Sequence, residues 1–198
     1  MEFFVRASGT PAQLVAFPGS FNPVTMAHLA LAEAGLGVAD EVVFVLPRAF
    51  PHKSYAGASF DQRIEMLAAA AAGRPGISVA ACDGGLFSEI AEECRRKYGE
   101  RVGVSILCGR DAAERAAGWD YGRLDAFREM LRGFDLLVAG RGGPYSPPAG
   151  FGGRVRLVEI PAAMEAISAT EARARIARGE PWESLIPAAA RELARRCY

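Results

Sequence analysis

The chain has 198 residues, and at roughly 150 residues per domain it accommodates one compact domain with elaborations rather than two separate ones. Hydrophobic residues make up 51%, enough to fill a core, and 22 Gly with 12 Pro are too few for a low-complexity chain. Lys plus Arg equals Asp plus Glu at 23 each, so no global field holds a nucleic acid or an acidic membrane, and any anion must be gripped locally.

Cys82, Cys94, Cys108 and Cys197 form no C-x-x-C pair and have only two histidines to complete a metal site, which reads as reduced thiols. The segment Met1 to Arg6 carries an acid and a base around a very short apolar run, unlike a signal peptide. No window approaches the roughly 18 apolar residues of a spanning helix. The expectation is a soluble, cytoplasmic protein.

In chain order, residues 1–12 read as a loosely held N-terminal extension and 13–198 as the domain proper. Short apolar runs rich in β-branched residues predict strands at 13–17, 41–46, 77–82, 102–107, 135–139 and 155–160. Helix-period stretches lie between or after them, at 26–34, 60–72, 87–98, 124–132, 170–178 and 188–196. Strand followed by helix, with runs apolar on both faces, predicts an α/β fold: a single-domain, Rossmann-like, doubly wound parallel sheet with helices on each side. The Gly- and Pro-rich stretch 141–153 reads as a long surface loop. In such sheets ligands bind beyond the carboxyl ends of the strands, which directs attention to the turns at 18–28, 47–59, 109–119 and 140–153.

The first turn reads Pro18-Gly19-Ser20-Phe21-Asn22-Pro23-Val24-Thr25-Met26-Ala27-His28-Leu29. Gly19 and Ser20 allow backbone N–H groups to approach a ligand, Asn22-Pro23 delays the helix, and a helix opening at Thr25 adds unpaired N–H groups and partial positive charge. Thr25 and His28, three apart, present a hydroxyl and an imidazole on one face, both aimed at the same anion. On spacing alone Thr25 also reads as a plain N-cap and His28 as a satisfied, partly buried histidine. Ser168 and Thr170 precede a further helix start, with Arg173 one turn on, as an anion site or a simple capping pattern. Asp111 reads as a ligand acceptor or an N-cap, Lys53 as a phosphate cation or a solvated lysine, and Trp119 as a stacking platform or core.

The first string resembles the G-G-S/T-F-D/N-P-I/V-H-x-G-H-L signature of the nucleotidyltransferase superfamily, in particular the bacterial nicotinate mononucleotide adenylyltransferases. Pro51-His52-Lys53 resembles the family's P-H-K, and Gln62-Arg63-Ile64-Glu65-Met66-Leu67 its R-x-x-M-L/V helix. Gly109-Arg110-Asp111 followed by Trp119 resembles its G-x-D and tryptophan segment, and Ile167-Ser168-Ala169-Thr170-Glu171-Ala172-Arg173 its I-S-S-T-x-I-R signature.

The resemblance implies attack of a mononucleotide 5'-phosphate on the α-phosphorus of ATP, with pyrophosphate released and a dinucleotide formed, in NAD (pyridine nucleotide) biosynthesis. An ionised phosphate needs no general base, so positioning and charge neutralisation supply the rate, in keeping with the lack of a G-x-S-x-G motif. By the same resemblance His28, Thr25 and Lys53 are catalytic. Gly19, Ser20, Phe21, Asn22, His52, Gly109, Asp111, Trp119, Arg141, Ser168, Thr170 and Arg173 would bind the substrates. His28 would donate to an α-phosphate oxygen, Ser168, Thr170 and Arg173 would hold the β- and γ-phosphates, and Asp111 would take the ribose hydroxyls. Mg2+ would be held mainly by ATP phosphates and water, without dedicated protein ligands. Partners are ATP and a mononucleotide or other phosphorylated acceptor; a homo-oligomer is an open arrangement.

Two residues and one segment depart from the family pattern. Thr25 replaces its first histidine and Ala27 its glycine, whose added methyl would crowd the triphosphate. Gly85-Leu86-Phe87-Ser88-Glu89-Ile90 stands where the family has Tyr-Thr-x-D/E-T-I/L at the acceptor pocket. Three readings therefore stand together: an adenylyltransferase for a pyridine mononucleotide, a related nucleotidyltransferase with another acceptor or triphosphate, and a nucleotide-binding homologue weakened in turnover.

Overall fold

The computed structural model of the protein describes residues 1–49, 57–119, 122, 125–140, 145–147, 151 and 153–198. One seven-stranded sheet carries the fold, in the order β1-β4-β3-β2-β5-β6-β7. The strands are β1 (Glu2–Val5), β2 (Gln13–Pro18), β3 (Glu41–Pro47), β4 (Ile77–Cys82), β5 (Gly103–Gly109), β6 (Asp135–Ala139) and β7 (Val155–Val158). All pair in parallel except β1, which runs antiparallel to β4. The helices are α1 (Met26–Leu36), α2 (Phe60–Ala71), α3 (Phe87–Tyr98), α4 (Arg110–Gly118), α5 (Ala126–Met130), α6 (Ala162–Glu165), α7 (Ala169–Arg178) and α8 (Arg191–Cys197).

The period of two along each strand divides the core into two layers. Val15, Phe17, Val42, Phe44, Leu46 and Leu107 face one layer with α1, α2 and the C-terminal helices. Leu14, Ala16, Val43, Val45, Ile106 and Cys108 face the other with α3 and α5. The doubly wound parallel sheet is thus present. From the central β2 the chain first builds outward through β3 and β4, then returns to place β5, β6 and β7 on the opposite side. The strand order reverses between β2 and β5, whose carboxyl ends are Pro18 and Gly109. A crevice for a ligand opens there in this class of sheet.

The N-terminal segment differs from the loosely held extension expected of it. Glu2–Val5 adds the edge strand, Ala7 N–H donates to Ser78 Oγ, and Ala12 and Gln13 N–H both donate to Asp40 Oδ2. Ser78 and Tyr98 hydroxyls in turn donate to the buried Glu41 carboxylate, tying β1, β3, β4 and α3 together at the edge away from the crevice. Among the described residues no helix is long and apolar enough to cross a membrane.

Burial pushes the thiols of Cys82, Cys94 and Cys108 up to about 12, and burial together with the Glu41 hydrogen bond raises the Tyr98 phenol. These groups stay protonated in the folded state while the unfolded chain ionises, so their contribution to folding is full below their ordinary range and is lost as pH rises from there through the raised folded values. Urea unfolding under reducing conditions should be steady near pH 8 and weaken above pH 9, by about 1.4 kcal/mol per pH unit for each resisting thiol. Equal stability at pH 8 and pH 10.5 would show that the thiols are not held in the core.

Candidate active site

The turn after β2 is built from the inside outward. Gly19 N–H donates to Val45 O at 3.1 Å, and a Cβ on Gly19 would stand 2.7 Å from Cζ of Phe21. Glycine is required there by the folded-back phenyl ring; its N–H is engaged with β3 and is not left for a ligand, contrary to the expectation from sequence. Phe21 is buried with φ of 44°, a region that strains residues bearing a Cβ. Its ring is held edge-on against Phe17, Phe44 and the His28 imidazole, the last at 5.1 Å between centroids. Phe21 therefore shapes the turn from within the core. The Asn22-Pro23 peptide bond is cis.

Thr25 caps α1. Its Oγ1 accepts from His28 N–H at 3.4 Å, and its own backbone N–H donates to His28 Nδ1 at 2.9 Å. Oγ1 also lies 2.9 Å from Nδ1, and Thr25 is wholly buried. The hydroxyl expected to face an anion is turned inward, and its partner is the imidazole itself. A nitrogen that accepts a backbone N–H cannot carry a proton, so neutral His28 has its proton on Nε2. The helix cap thereby presets a histidine donor at the switch point. Ala27 packs into the apolar layer beneath α1 with no exposed surface, so its methyl does not crowd the crevice.

Three side chains from distant elements grip the same turn. Arg63 of α2 is buried and donates from Nη1 to Ser20 O at 3.1 Å and from Nε to Ser59 O at 3.2 Å. Arg173 of α7 donates to the carbonyl of Asn22, and the Tyr198 hydroxyl donates to Asn22 Oδ1. The first and second signatures are thus in direct contact. Ser168 caps α7 by accepting from Glu171 N–H at 3.1 Å; Thr170 is exposed in the same first turn, and Glu171 pairs with Arg175. Arg63 and Tyr198 were absent from the candidates drawn from sequence. The arginine lies in the R-x-x-M-L/V resemblance, whereas nothing local marks the tyrosine.

Across the switch point, Gly109 ends β5 and serves as N-cap of α4, with no side chain capping the helix. A Cβ on Gly109 would meet nothing within 4 Å, so its backbone borders open space. Asp111 is exposed at the second position of α4 and is not its cap. Trp119, at the far end of α4, is 48% exposed rather than core. At the start of α3, where the family's Tyr-Thr segment was missed, Leu86 is exposed and its N–H donates to Glu89 Oε2. His52, Lys53 and Arg141 lie outside the described residues. Among the described residues no group of three or more His, Cys, Asp or Glu is placed to hold a metal.

The sequence model of the cytidylyltransferase-like family matches residues 16–175. The chain is 32% identical to a protein of Treponema pallidum named probable nicotinate-nucleotide adenylyltransferase, with 94% of this chain and 98% of the relative covered. A protein of the same name from Chromohalobacter salexigens is 30% identical, with 97% and 98% covered. In fold the chain is similar to the Plasmodium falciparum nicotinic acid mononucleotide adenylyltransferase solved with NaAD, at a TM-score of 0.69 and 17% identity over 91% of this chain and 93% of that one. With a full-length sequence match, the strand order of a doubly wound sheet and both signatures joined at one turn, the chain belongs to the cytidylyltransferase-like nucleotidyltransferases, and among them to the nicotinate-nucleotide adenylyltransferase family.

Proposed function

We propose that the protein joins nicotinate mononucleotide to the AMP portion of ATP, releasing pyrophosphate, as a step of NAD biosynthesis. A phosphate oxygen of the mononucleotide attacks the α-phosphorus, the bond from that phosphorus to the oxygen bridging to the β-phosphate breaks, and pyrophosphate carries off the electron pair. The nucleophile is already ionised, so the protein's task is to align the two phosphates and meet the charge that gathers on the α-phosphate. Mg2+ bound with ATP would be held by phosphate oxygens and water and would neutralise charge on the triphosphate. Of the groups near the switch point, the His28 imidazole is the donor that the helix cap sets up, while the Thr25 hydroxyl and the Gly19 N–H are engaged within the fold.

The observation that carries this reading is the bond from Thr25 N–H to His28 Nδ1, which leaves Nε2–H as the donor. His28 takes the catalytic role, worth about 3–4 kcal/mol for one well-placed donor. Thr25 acts through His28 rather than on the phosphate. Arg173 and Ser168 act at the second signature, with Thr170 exposed toward the same helix start and Lys53, His52 and Arg141 as further phosphate-side groups. Gly109 and Asp111 form the ATP-ribose side, and Trp119 offers a face to the pyridine ring. Both substrates are cytoplasmic metabolites, and the reaction is assigned to the cytoplasm.

His28→Ala should lower kcat by about 100-fold or more while KM for ATP changes little. Thr25→Ala should lose about 1 kcal/mol of stability as a lost cap yet keep KM for ATP within about threefold, because the backbone N–H that holds Nδ1 remains. Near-normal turnover in His28→Ala, or a large rise in KM in Thr25→Ala, would contradict these roles. Pyrophosphate release measured across nicotinate mononucleotide, nicotinamide mononucleotide, phosphopantetheine and CTP-dependent acceptors should be largest with nicotinate mononucleotide and ATP. A larger rate with a non-pyridine acceptor would move the protein to another branch of the superfamily.

A further inference from the structure

Tyr198 follows α8, far in sequence from either signature, yet its side chain meets two of the turns at the crevice. Its hydroxyl donates to Asn22 Oδ1 in the turn after β2, across 176 positions. Its ring also covers the start of the described chain before α2: a Cβ on Gly57 would stand 2.7 Å from Cε1 of Tyr198, and Gly57 has φ of 99°. Gly57 closes the segment between β3 and α2 that carries His52 and Lys53 in sequence. Burial raises the Tyr198 phenol, opposed by the neighbouring guanidiniums of Arg173 and Arg63, so the hydroxyl remains a donor at neutral pH.

The direction of this bond has a consequence for Asn22. A hydroxyl that donates must face the carboxamide oxygen, so the amide NH2 is turned the other way. The Asn22 backbone carbonyl is held at the same time by Arg173. Side chain and main chain of one residue are thereby fixed by two separate C-terminal elements, four residues before α1 begins at Met26. The ring of a phenylalanine would fill the space against Gly57 equally well. The hydroxyl contributes the bond to Asn22 and also accepts from the backbone N–H of Ala58.

We propose that Tyr198 is a positioning residue for adenylyl transfer: through Asn22 it holds the Gly19–Pro23 turn in the geometry that brings His28 to the α-phosphate. This rests on the adenylyl-transfer reading above. A small displacement of reacting groups lowers the rate of an aligned displacement far more than it weakens substrate binding. The effect should therefore appear in kcat rather than in KM.

Tyr198→Phe in the full chain should lower kcat about tenfold with KM for ATP within about twofold and a thermal midpoint within a few degrees of the parent. Amide hydrogen exchange in the peptide spanning 19–24 should quicken about fivefold, with the peptides of β3 and β4 unchanged. Placed on Asn22→Ala, the same substitution should cost clearly less kcat and protection than it does in the parent, the remainder falling to the hydroxyl's bond with Ala58. Unchanged kcat with unchanged exchange, or effects that simply add to those of Asn22→Ala, would overturn the proposal. If the parent protein makes no dinucleotide, the adenylyl-transfer reading fails by itself. The exchange arm then decides alone: quicker exchange that depends on Asn22 supports Tyr198 as the brace of the turn, and unchanged exchange refutes it.

Discussion

The backbone N–H of Thr25 donates to Nδ1 of His28, and this bond couples helix capping to chemistry. An unsatisfied N–H at a helix start has to find an acceptor, and the side chain three residues on is the natural one. Here that side chain is an imidazole, so satisfying the helix also selects its tautomer. The remainder of the crevice can be understood as what keeps this N-terminus in place. Phe21, strained and wedged between Phe17 and Phe44, sets where the chain turns back toward α1. Arg63, Arg173 and Tyr198 then hold the turn's carbonyl and carboxamide oxygens from three separate elements.

This arrangement explains how a chain with equal numbers of acidic and basic residues can serve a triphosphate. A preset imidazole donor needs no global field, and the Arg63 and Arg173 guanidiniums near the turn do structural work on carbonyl oxygens. Some acidic residues are paired on exposed helix faces, as Glu192 with Arg195 and Arg196 of α8.

The sheet was legible in sequence because β3 and β4 are apolar on both faces, and their runs are continuous. β1 was not, because its four residues alternate between exposed and half-buried and the strand exists only by pairing with β4. At 109–119 Asp111 reads as a ligand acceptor or as the cap of a helix that follows it, whereas α4 begins at Arg110, one residue before it, with Gly109 as cap and Ala113 as its single buried residue. At the site, the signature string was visible but the direction of its side chains was not. Gly19 serves a ring rather than a ligand, and Thr25 faces inward, because both orientations are set by Phe21 and His28 in three dimensions. Tyr198 carries no local pattern at all, since a contact across 176 positions is a property of the folded chain.

The most direct test of this account is the protonation pattern of the His28 ring, read by 15N NMR on imidazole-labelled protein. The chain has only two histidines, so His52→Gln leaves a single ring to observe. The neutral ring should show an Nδ1 resonance typical of an unprotonated acceptor and an Nε2 resonance typical of N–H, with Nε2 the nitrogen that shifts when a non-hydrolysable ATP analogue is added. A ring protonated on Nδ1, or an analogue that leaves Nε2 unmoved, would contradict it.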